Sequence, residues 1–255
     1  MVVSLSCLVS CGSDLLDSCL KETDGTLDCS FAEFNNVDLS GRDLRNVDLS
    51  NADLRQADLT DANLTRANFM DANLAGADLS DANLTRANFT DANLAGADLS
   101  EATLNGAILN GANLEGANLN GANLGGADLY GTNLERANLN GAYLGGAKFN
   151  GASLAGANLT GADLTGARLI KANLEGANLE RAYLEKANLE RANLERANFA
   201  EAKIGGAHLI MANLIGANLE RADLRLANLI AARADKNTVW PEGFDPEAAG
   251  VTFED

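Results

Sequence analysis

Apolar residues recur every five positions along most of this chain. From Phe34 to Leu229 a five-residue unit of the form Ala-(Asn/Asp)-Leu-x-x repeats forty times without insertion or deletion. We call the central apolar residue of each unit position i, so that the small residue is i−2 and the Asn or Asp is i−1. The centre is Leu in 34 units, Phe in five and Ile in one, and from Ala52 to Ala232 every i−2 residue is Ala except Thr132. Two of every five side chains are therefore apolar and of controlled size.

This period of five predicts a coil that turns once per unit. The period matches neither the 3.6 residues of a helical turn nor the two-residue alternation of a flat strand, so neither element can bury these side chains on one face. If each unit forms one side of a square, four units close a coil of twenty residues, and coils stack at the ~4.8 Å spacing of paired strands. Residues 61–80 and 81–100 support that length, because they differ only at Met70 and Thr90. We therefore expect an all-β solenoid in which Phe69 lies on Phe89.

The run ANLEGANLNGANLGGADL at residues 112–129 resembles the pentapeptide-repeat family, and the resemblance extends over about four-fifths of the chain. It implies a right-handed quadrilateral β-helix of about ten coils of four pentapeptides over residues 31–234, with capping segments at both ends. It also implies that positions i and i−2 lie inside, while i−1, i+1 and i+2 face outward. Ala suits i−2 because a larger residue would overpack a narrow interior.

Outward residues twenty positions apart form columns that can be read from the sequence. Two of the four i−1 columns are nearly unbroken Asp or Asn, whereas the other two, on adjacent faces, contain most of the departures. Those departures are Thr103, Ile108, Tyr143, Lys148, Arg168, Tyr183, Lys203 and His208. A mixed aromatic and basic composition favours contact with protein or acidic ligands, so these residues form the candidate interaction surface. The alternative is that exposed positions drift at little cost to stability.

Net charge limits the partners. The chain carries a formal charge of −17, which disfavours direct binding to nucleic acid or to anionic lipid head groups. Two lines of acidic residues stand out, the first being Asp38, Asp58, Asp78 and Asp98, and the second Asp61, Asp81 and Glu101. They fit divalent-cation binding, imitation of a phosphate ladder, or a solvated face whose carboxylates bond to the local backbone. We favour the last, because Ca²⁺ takes about 6–8 converging oxygens rather than a line of them.

Two functional classes remain open. The first is a noncatalytic structural or protein-interaction rod with an unidentified protein partner. The second is implied by the resemblance, since the family includes quinolone-resistance proteins that resemble DNA and act on gyrase. DNA mimicry requires negative charge along the whole rod, but residues 31–110 carry a net charge of −8 and residues 111–234 carry twelve acids and twelve bases. We therefore prefer the interaction rod.

No arrangement of residues indicates catalysis. The sequence shows no Ser/His/Asp, Cys/His or phosphate-loop pattern, and an interior packed with Leu leaves no cavity. His208 has no paired His or Cys with which to hold a metal. We expect no enzymatic activity, no metal and no cofactor. No apolar run approaches the ~20 residues of a membrane-spanning helix.

The segment before the repeat contains all four cysteines. Residues 1–12 resemble a lipoprotein-type signal in which Cys11 receives lipid, although the apolar run is short and has no basic start. The resemblance favours an exported protein, periplasmic or lumenal, over a cytoplasmic one, with membrane contact only through that lipid. In an exported protein Cys19 and Cys29 can form a disulfide, whereas in a reducing cytosol they would be small buried residues.

Residues 13–30 are predicted to cap the first coil. Residues 13–20 have the pattern of a short helix with Ser13 as N-cap and with Leu15, Leu16 and Leu20 turned onto that coil. Arg42 occupies an inward position where the family pattern has a small residue. We expect its guanidinium either to extend into solvent or to pair with an acid such as Glu22 or Glu33.

Residues 235–255 depart from the repeat and are predicted to cap the last coil. This tail supplies Trp240 and Phe244 as a plug, with Pro241 ending ladder pairing. Uncovered ends of a stacked coil invite polymerisation. We therefore expect a monomer or, if the tail associates, an end-to-end dimer.

Overall fold

The computed structural model describes residue 16, residues 19–22 and residues 26–254. Through the repeat, each i−1 residue forms a parallel bridge with the i−1 residue twenty positions later, from Asp28 with Asp48 to Asn213 with Arg233. The N–H of each centre donates to the i−1 carbonyl of the next coil, as Leu54 does to Asn73 at 2.7 Å. Four units therefore make one turn of the chain, as the twenty-residue duplication predicts.

A β-turn closes every unit. The N–H of residue i+3 donates to the carbonyl of the centre, and the i+2 residue has a positive φ of about 55–70°. A positive φ at the third turn position is the mark of a type II turn and favours Gly or Asn. Many units nevertheless place Asp, Arg or Lys there, for example Asp61 at φ 58° and Arg66 at φ 60°. These residues accept a strained backbone because stacked coils on both sides hold it.

The interior contains the residues that the pattern assigns to it. From Ala52 to Leu219 the centres and the i−2 residues are buried. The rings of Phe69 and Phe89 stack at 4.7 Å with an angle of 1° between their planes, which confirms the predicted contact. Thr132 is fully buried, and its hydroxyl donates to the Leu109 carbonyl at 2.8 Å. That hydrogen bond explains why a polar residue is tolerated at an interior position.

The regular strands are short and lie at the two ends of the described chain. They are β1 (Leu20–Lys21), β2 (Leu27–Asp28), β3 (Arg233–Ala234) and β4 (Thr252–Phe253). β1 pairs antiparallel with β2, and β3 pairs parallel with β4. Leu16 packs against the core, whereas the predicted contact of Leu20 with the first coil is wrong, because Leu20 begins β1 and is 69% exposed. Ser13 and Leu15 lie outside the described residues. A disulfide joins Cys19 to Cys29 beside this hairpin, and Cys29 is buried at a centre position.

The first coil accommodates its irregular residues in different ways. Val47 is buried in place of Ala, whereas Val37 is half-buried. Arg42 is exposed, so its side chain leaves the interior position that the pattern assigns to it. Its charge contributes, after the hydrogen bonds from Ser40, to lowering the pKa of Asp38. The outward orientation avoids burying a guanidinium in the apolar interior.

The C-terminal tail continues the stack with one extra residue. Val239 pairs with Asn218, twenty-one positions earlier, which places Trp240 at the next centre. The Trp240 ring packs against the core and stacks on Phe244 at 5.3 Å. Further along, the Thr252 N–H donates to the Ala232 carbonyl at 2.8 Å. The tail therefore covers part of the last coil.

Backbone strain at the turn can be measured by replacing one glycine. Gly96 has φ +65°, and a Cβ added there would meet no atom within 4 Å. We expect Gly96→Ala to lower the free energy of unfolding by about 1 kcal/mol, because only the backbone conformation opposes the change. Gly205→Ala is the matched control, since Gly205 has no positive φ and its nearest neighbour lies 3.6 Å from the added atom. Equal urea midpoints for the two variants would contradict the assignment.

The packing of the tail can be tested at Trp240. Its Nε1 atom is buried and has no hydrogen-bond partner in the described part of the chain. Trp240→Phe therefore loses no hydrogen bond, and we expect a cost below about 1 kcal/mol, whereas Trp240→Ala should cost about 2–3 kcal/mol through lost packing. Thermal unfolding of both variants measures the difference. An equal loss from both would show that the ring packing contributes little.

Candidate functional site

The square coil presents four faces, which we name by their i−1 columns. Face A carries the column from Glu33 to Arg233, face B that from Asp38 to Asn218, face C that from Asp43 to Asp223, and face D that from Asp28 to Asn228. Each five-residue unit belongs to the face of its i−1 residue. Faces A and C are opposite, as are faces B and D.

Side-chain amides form ladders along faces A and B. On face B the Asn118 amide donates to Asp98 at 3.0 Å, and the Asn138 amide donates to Asn118 at 3.1 Å. Each amide oxygen also accepts the N–H two residues ahead, as Asn138 does from Asn140 at 3.3 Å. A buried or half-buried amide stack with both kinds of bond is stabilising. The regularity of these two columns therefore has a structural cause.

The acidic residues of face B bond to their own turns. Asp38 accepts the Ser40 N–H at 3.0 Å and the Ser40 hydroxyl at 2.6 Å, and Asp58, Asp78 and Asp98 make the same pair of bonds to Thr60, Ser80 and Ser100. These hydrogen bonds hold the pKa of Asp38 below its usual value. The local bonding favoured from the sequence is present, and it explains how like charges are accommodated one coil apart.

Every predicted surface residue lies on face C or face D. Face C carries Thr103, Tyr143, Tyr183 and Lys203, and face D carries Ile108, Lys148, Arg168 and His208. All are exposed except Thr103, which is half-buried. The structure therefore brings the eight residues onto two adjacent sides of the rod over about five coils.

On face C the aromatic rings are held by specific contacts. The Tyr143 ring lies over the backbone of Gly125 and Gly145, because a Cβ on either glycine would come within 2.8 Å of the ring or its hydroxyl. The Lys203 ammonium lies 4.4 Å from the centroid of the Tyr183 ring, a cation–π contact. The Gly-Gly pairs in the sequence therefore clear space for a tyrosine to lie flat on the face.

Face C also carries a strongly paired carboxylate near its C-terminal end. Arg225 donates to both oxygens of Asp223, at 2.8 and 2.6 Å. This hydrogen bond lowers the pKa of Asp223 from 3.8 to about 2. The stabilisation is fully present above the unfolded value of 3.8 and is lost as the pH falls through about 2.

Face D is more basic. The Lys148 ammonium pairs with Asp128 at 3.2 Å, and Arg168 follows Lys148 one coil later. His208 lies between Asn188 and Asn228 in the same column. Across residues 111–234, faces C and D carry seven basic and five acidic residues, a net of +2, whereas faces A and B carry five basic and seven acidic, a net of −2. Residues 111–234 therefore have no net charge as a whole, but faces C and D are positive and faces A and B are negative.

Exposed large hydrophobic residues are confined to the same two faces. From Phe31 to Ile230, all nine of those described lie on face C or D. They are Phe31, Met70, Ile108, Tyr130, Tyr143, Tyr183, Met211, Leu226 and Ile230. The i−1 columns alone missed Phe31, Met70, Tyr130, Met211, Leu226 and Ile230, which occupy i+1 and i+2. Reading those positions at a period of twenty would have found them.

The described surface has shallow grooves rather than a deep cavity. The groove of about 340 Å³ on face C is lined by Arg45, Asn46, Thr65, Arg66, Thr85 and Arg86, and we call it the arginine groove.

Among the described residues no three His, Cys, Asp or Glu side chains are grouped so that they could hold a metal ion. Over the same part of the chain, no helix has the length and hydropathy of a membrane span. Cys11 lies outside the described residues.

Comparison with known families settles what kind of rod this is. The model of the pentapeptide repeats matches eight copies within residues 32–235. The chain belongs to the pentapeptide-repeat family. Proteins of this family form right-handed quadrilateral β-helices, and the four units per turn described above agree with that fold.

Several solved structures are similar to this chain. HetL, a pentapeptide repeat protein involved in heterocyst differentiation regulation in the cyanobacterium Nostoc sp. PCC 7120, is 36% identical, with 84% of this chain and 94% of HetL covered at a TM-score of 0.59. Rfr23 from the cyanobacterium Cyanothece 51142 is 41% identical over 37% of this chain and 63% of its own, at 0.35. QnrB1, a plasmid-mediated fluoroquinolone resistance protein, is 19% identical over 83% and 91%, at 0.42. Among curated proteins, none matches this chain.

The structural role of the amide ladder can be separated from that of an isolated Asn. The Asn138 amide oxygen accepts from the Asn158 amide at 3.0 Å, and the Asn138 amide N–H donates to Asn118 at 3.1 Å. Among the described residues, the side chain of Asn188 on face D bonds only to the Glu190 N–H, at 3.0 Å. We expect Asn138→Ala to cost about 1–2 kcal/mol more than Asn188→Ala, because it breaks two further hydrogen bonds. Urea unfolding of the two variants measures this difference, and equal costs would remove the ladder as an explanation.

Proposed function

We propose that this protein is a noncatalytic interaction rod that binds a protein partner along faces C and D. The observation that carries the proposal is that the exposed large hydrophobic residues described from Phe31 to Ile230 all lie on those two faces. Tyrosine, arginine and methionine are enriched at protein interfaces, and faces C and D expose all three kinds. An isolated exposed hydrophobic residue needs no explanation, but nine on one side of a rod do.

The remaining faces supply stiffness. Amide ladders on faces A and B link successive coils, so that the spacing of the side chains on faces C and D is held constant. A surface presented on a rigid scaffold loses little conformational entropy on binding. The filled interior of Leu and Ala supports a binding role rather than an enzymatic one, since it leaves no space for a substrate.

We extend the proposal to the location and the ends of the rod. The disulfide between Cys19 and Cys29 supports an oxidising compartment, and a lipid on Cys11 would hold the rod at a membrane surface. The tail with Trp240 and Phe244 acts as a cap, because it covers backbone groups that would otherwise template another chain. On this basis end-to-end dimers form only when the tail is removed.

The alternative function, modulation of gyrase by DNA mimicry, predicts uniform negative charge along the rod. Faces C and D in residues 111–234 have a net charge of +2, which favours the interaction rod instead. Inhibition or protection of gyrase supercoiling by submicromolar purified protein would support the alternative. Lipidated protein confined to the membrane fraction would exclude it, because gyrase acts on DNA.

The proposed surface can be tested with four substitutions made together, Tyr143→Asn, Lys148→Asn, Tyr183→Asn and Lys203→Asn. All four positions are i−1, where Asn is the usual residue, so we expect a thermal midpoint within about 3 °C of the parent. Capture of a native partner from lysate should be lost.

The matched control changes four charged residues of face A, Glu135, Arg136, Glu195 and Arg196, to Asn. These residues lie toward the edge between faces A and B, away from faces C and D, so the control should capture the partner normally. Undiminished capture by the variant of faces C and D would overturn the proposed surface.

A further inference from the structure

The arginine groove contains two cations without a counter-charge. Arg45 donates to both oxygens of Asp43 at 2.7 Å, so its charge is paired. Arg66 and Arg86 occupy i+2 positions on consecutive coils at the edge between faces C and D, and both are exposed. Neither forms an ion pair with any residue that the structure describes. Two like charges about one coil apart repel, and in a chain of charge −17 their isolation calls for an anionic occupant.

The opposite edge of face C carries the complementary charge. Asp61 and Asp81 occupy i+2 positions of face B, five residues before Arg66 and Arg86, and Glu101 continues their line. All three acids are exposed, and none forms an ion pair with a described residue. Neighbouring residues within the acidic line and within the basic line are both twenty positions apart, because both lines follow the same stacking of coils.

We infer that the arginine groove binds the acidic edge of a second copy of this chain, forming a parallel side-by-side dimer across face C. This inference deepens the proposed function by naming one partner of face C, and it rests on that face being a contact surface. Face D stays free in such a dimer for the other protein.

Symmetry selects the parallel arrangement. A two-fold axis that runs along the rods brings the acidic edge of one face C against the basic edge of the other at the same coil level. Asp61 then meets Arg66 of the second copy, and Asp81 meets Arg86, with each pair occurring twice. A two-fold axis across the rods would instead place acid against acid and base against base. Charge complementarity therefore disfavours the antiparallel dimer.

The rest of face C is compatible with the same pairing. The pairing of Asp61 with Arg66 centres the axis close to the i−1 column, so that the Tyr143 rings of the two copies come near each other. Because the Tyr143 ring lies flat over Gly125 and Gly145, it does not hold the two faces apart. Like charges also meet, since Arg181 lies opposite Lys186 and Asp163 and Lys203 come near their own copies. Arg181 is, however, already paired with Glu201 at 2.9 Å, and the Lys203 ammonium lies over the Tyr183 ring.

The contact area indicates a weak dimer. Face C from Asp43 to Arg225 spans nine coil steps, so it is ~43 Å long and ~12 Å wide by strand dimensions, or about 1,000 Å² for both copies. An interface of that size is at the lower limit for specific association. Since exposed ion pairs provide much of its selectivity, the dimer should weaken as salt is raised.

Charge reversal tests the pairing directly. One variant combines Arg66→Glu with Arg86→Glu, and the other combines Asp61→Lys with Asp81→Lys. Both should fold, because the same positive-φ turn position already holds Glu at 201 and Lys at 171 and 186. Sedimentation equilibrium of the full chain at low salt measures self-association, and circular dichroism verifies the fold of each variant.

We expect the parent to dimerise, each variant alone to associate at least about tenfold more weakly, and an equimolar mixture of the two variants to recover the parent affinity. A monomeric parent, unchanged association of either variant, or a mixture that stays monomeric would overturn the inference. If the arginine groove instead binds an acidic partner other than a second copy, the parent stays monomeric or the charge-reversal variants associate as the parent does. The substitutions lie outside residues 103–208, so lost dimerisation with normal partner capture leaves the proposed function intact.

Discussion

The narrow interior is the constraint on which the rest of this structure depends. A coil of four short sides has room for one Leu or Phe and one Ala per side, and the stacked rings of Phe69 and Phe89 show how closely successive coils repeat that arrangement. Such an interior tolerates neither a larger residue at i−2 nor an unpaired polar group. Thr132 meets the second condition by donating its hydroxyl to a carbonyl, and Arg42 meets it by leaving the interior.

Because every coil has the same cross-section, every outward position forms a straight column. A residue type that recurs at one outward position of every coil therefore determines the chemistry of a whole face. Asn and Asp at i−1 bond to the turn ahead and, on faces A and B, to the coil before, so those columns gain stability from uniformity. On face D the same amide bonds join Asn88 to Asn68 and Asn68 to Asp48. Beyond Asn88, faces C and D carry aromatic, aliphatic and basic residues at many i−1 positions, and thereby give up that stabilisation. The exchange of structural hydrogen bonds for exposed apolar side chains is the physical argument for a binding role.

The turn positions add a second level of control. A positive φ at i+2 strains any residue other than Gly, yet Asp61, Arg66, Asp81 and Arg86 all adopt it. Charged residues therefore occupy turn positions at which glycine would be the least strained residue. On either side of Tyr143 the same i+2 position is Gly, and the tyrosine ring lies flat on the face there. The i+2 residues therefore determine how flat face C is and how its charge is distributed, without any change in the core.

By itself, the sequence determined the repeat, the period of twenty residues, the buried positions and the two faces on which the i−1 columns become irregular. These features follow from regular spacing, since each residue in a solenoid has neighbours at a constant separation. Only the tertiary structure decided which columns are ladders, where the Tyr143 ring lies, and that Leu20 begins a strand rather than contacting the first coil. Hydrogen-bond partners across coils and the paths of irregular ends depend on side-chain orientation and long-range contacts, which spacing along one chain does not specify.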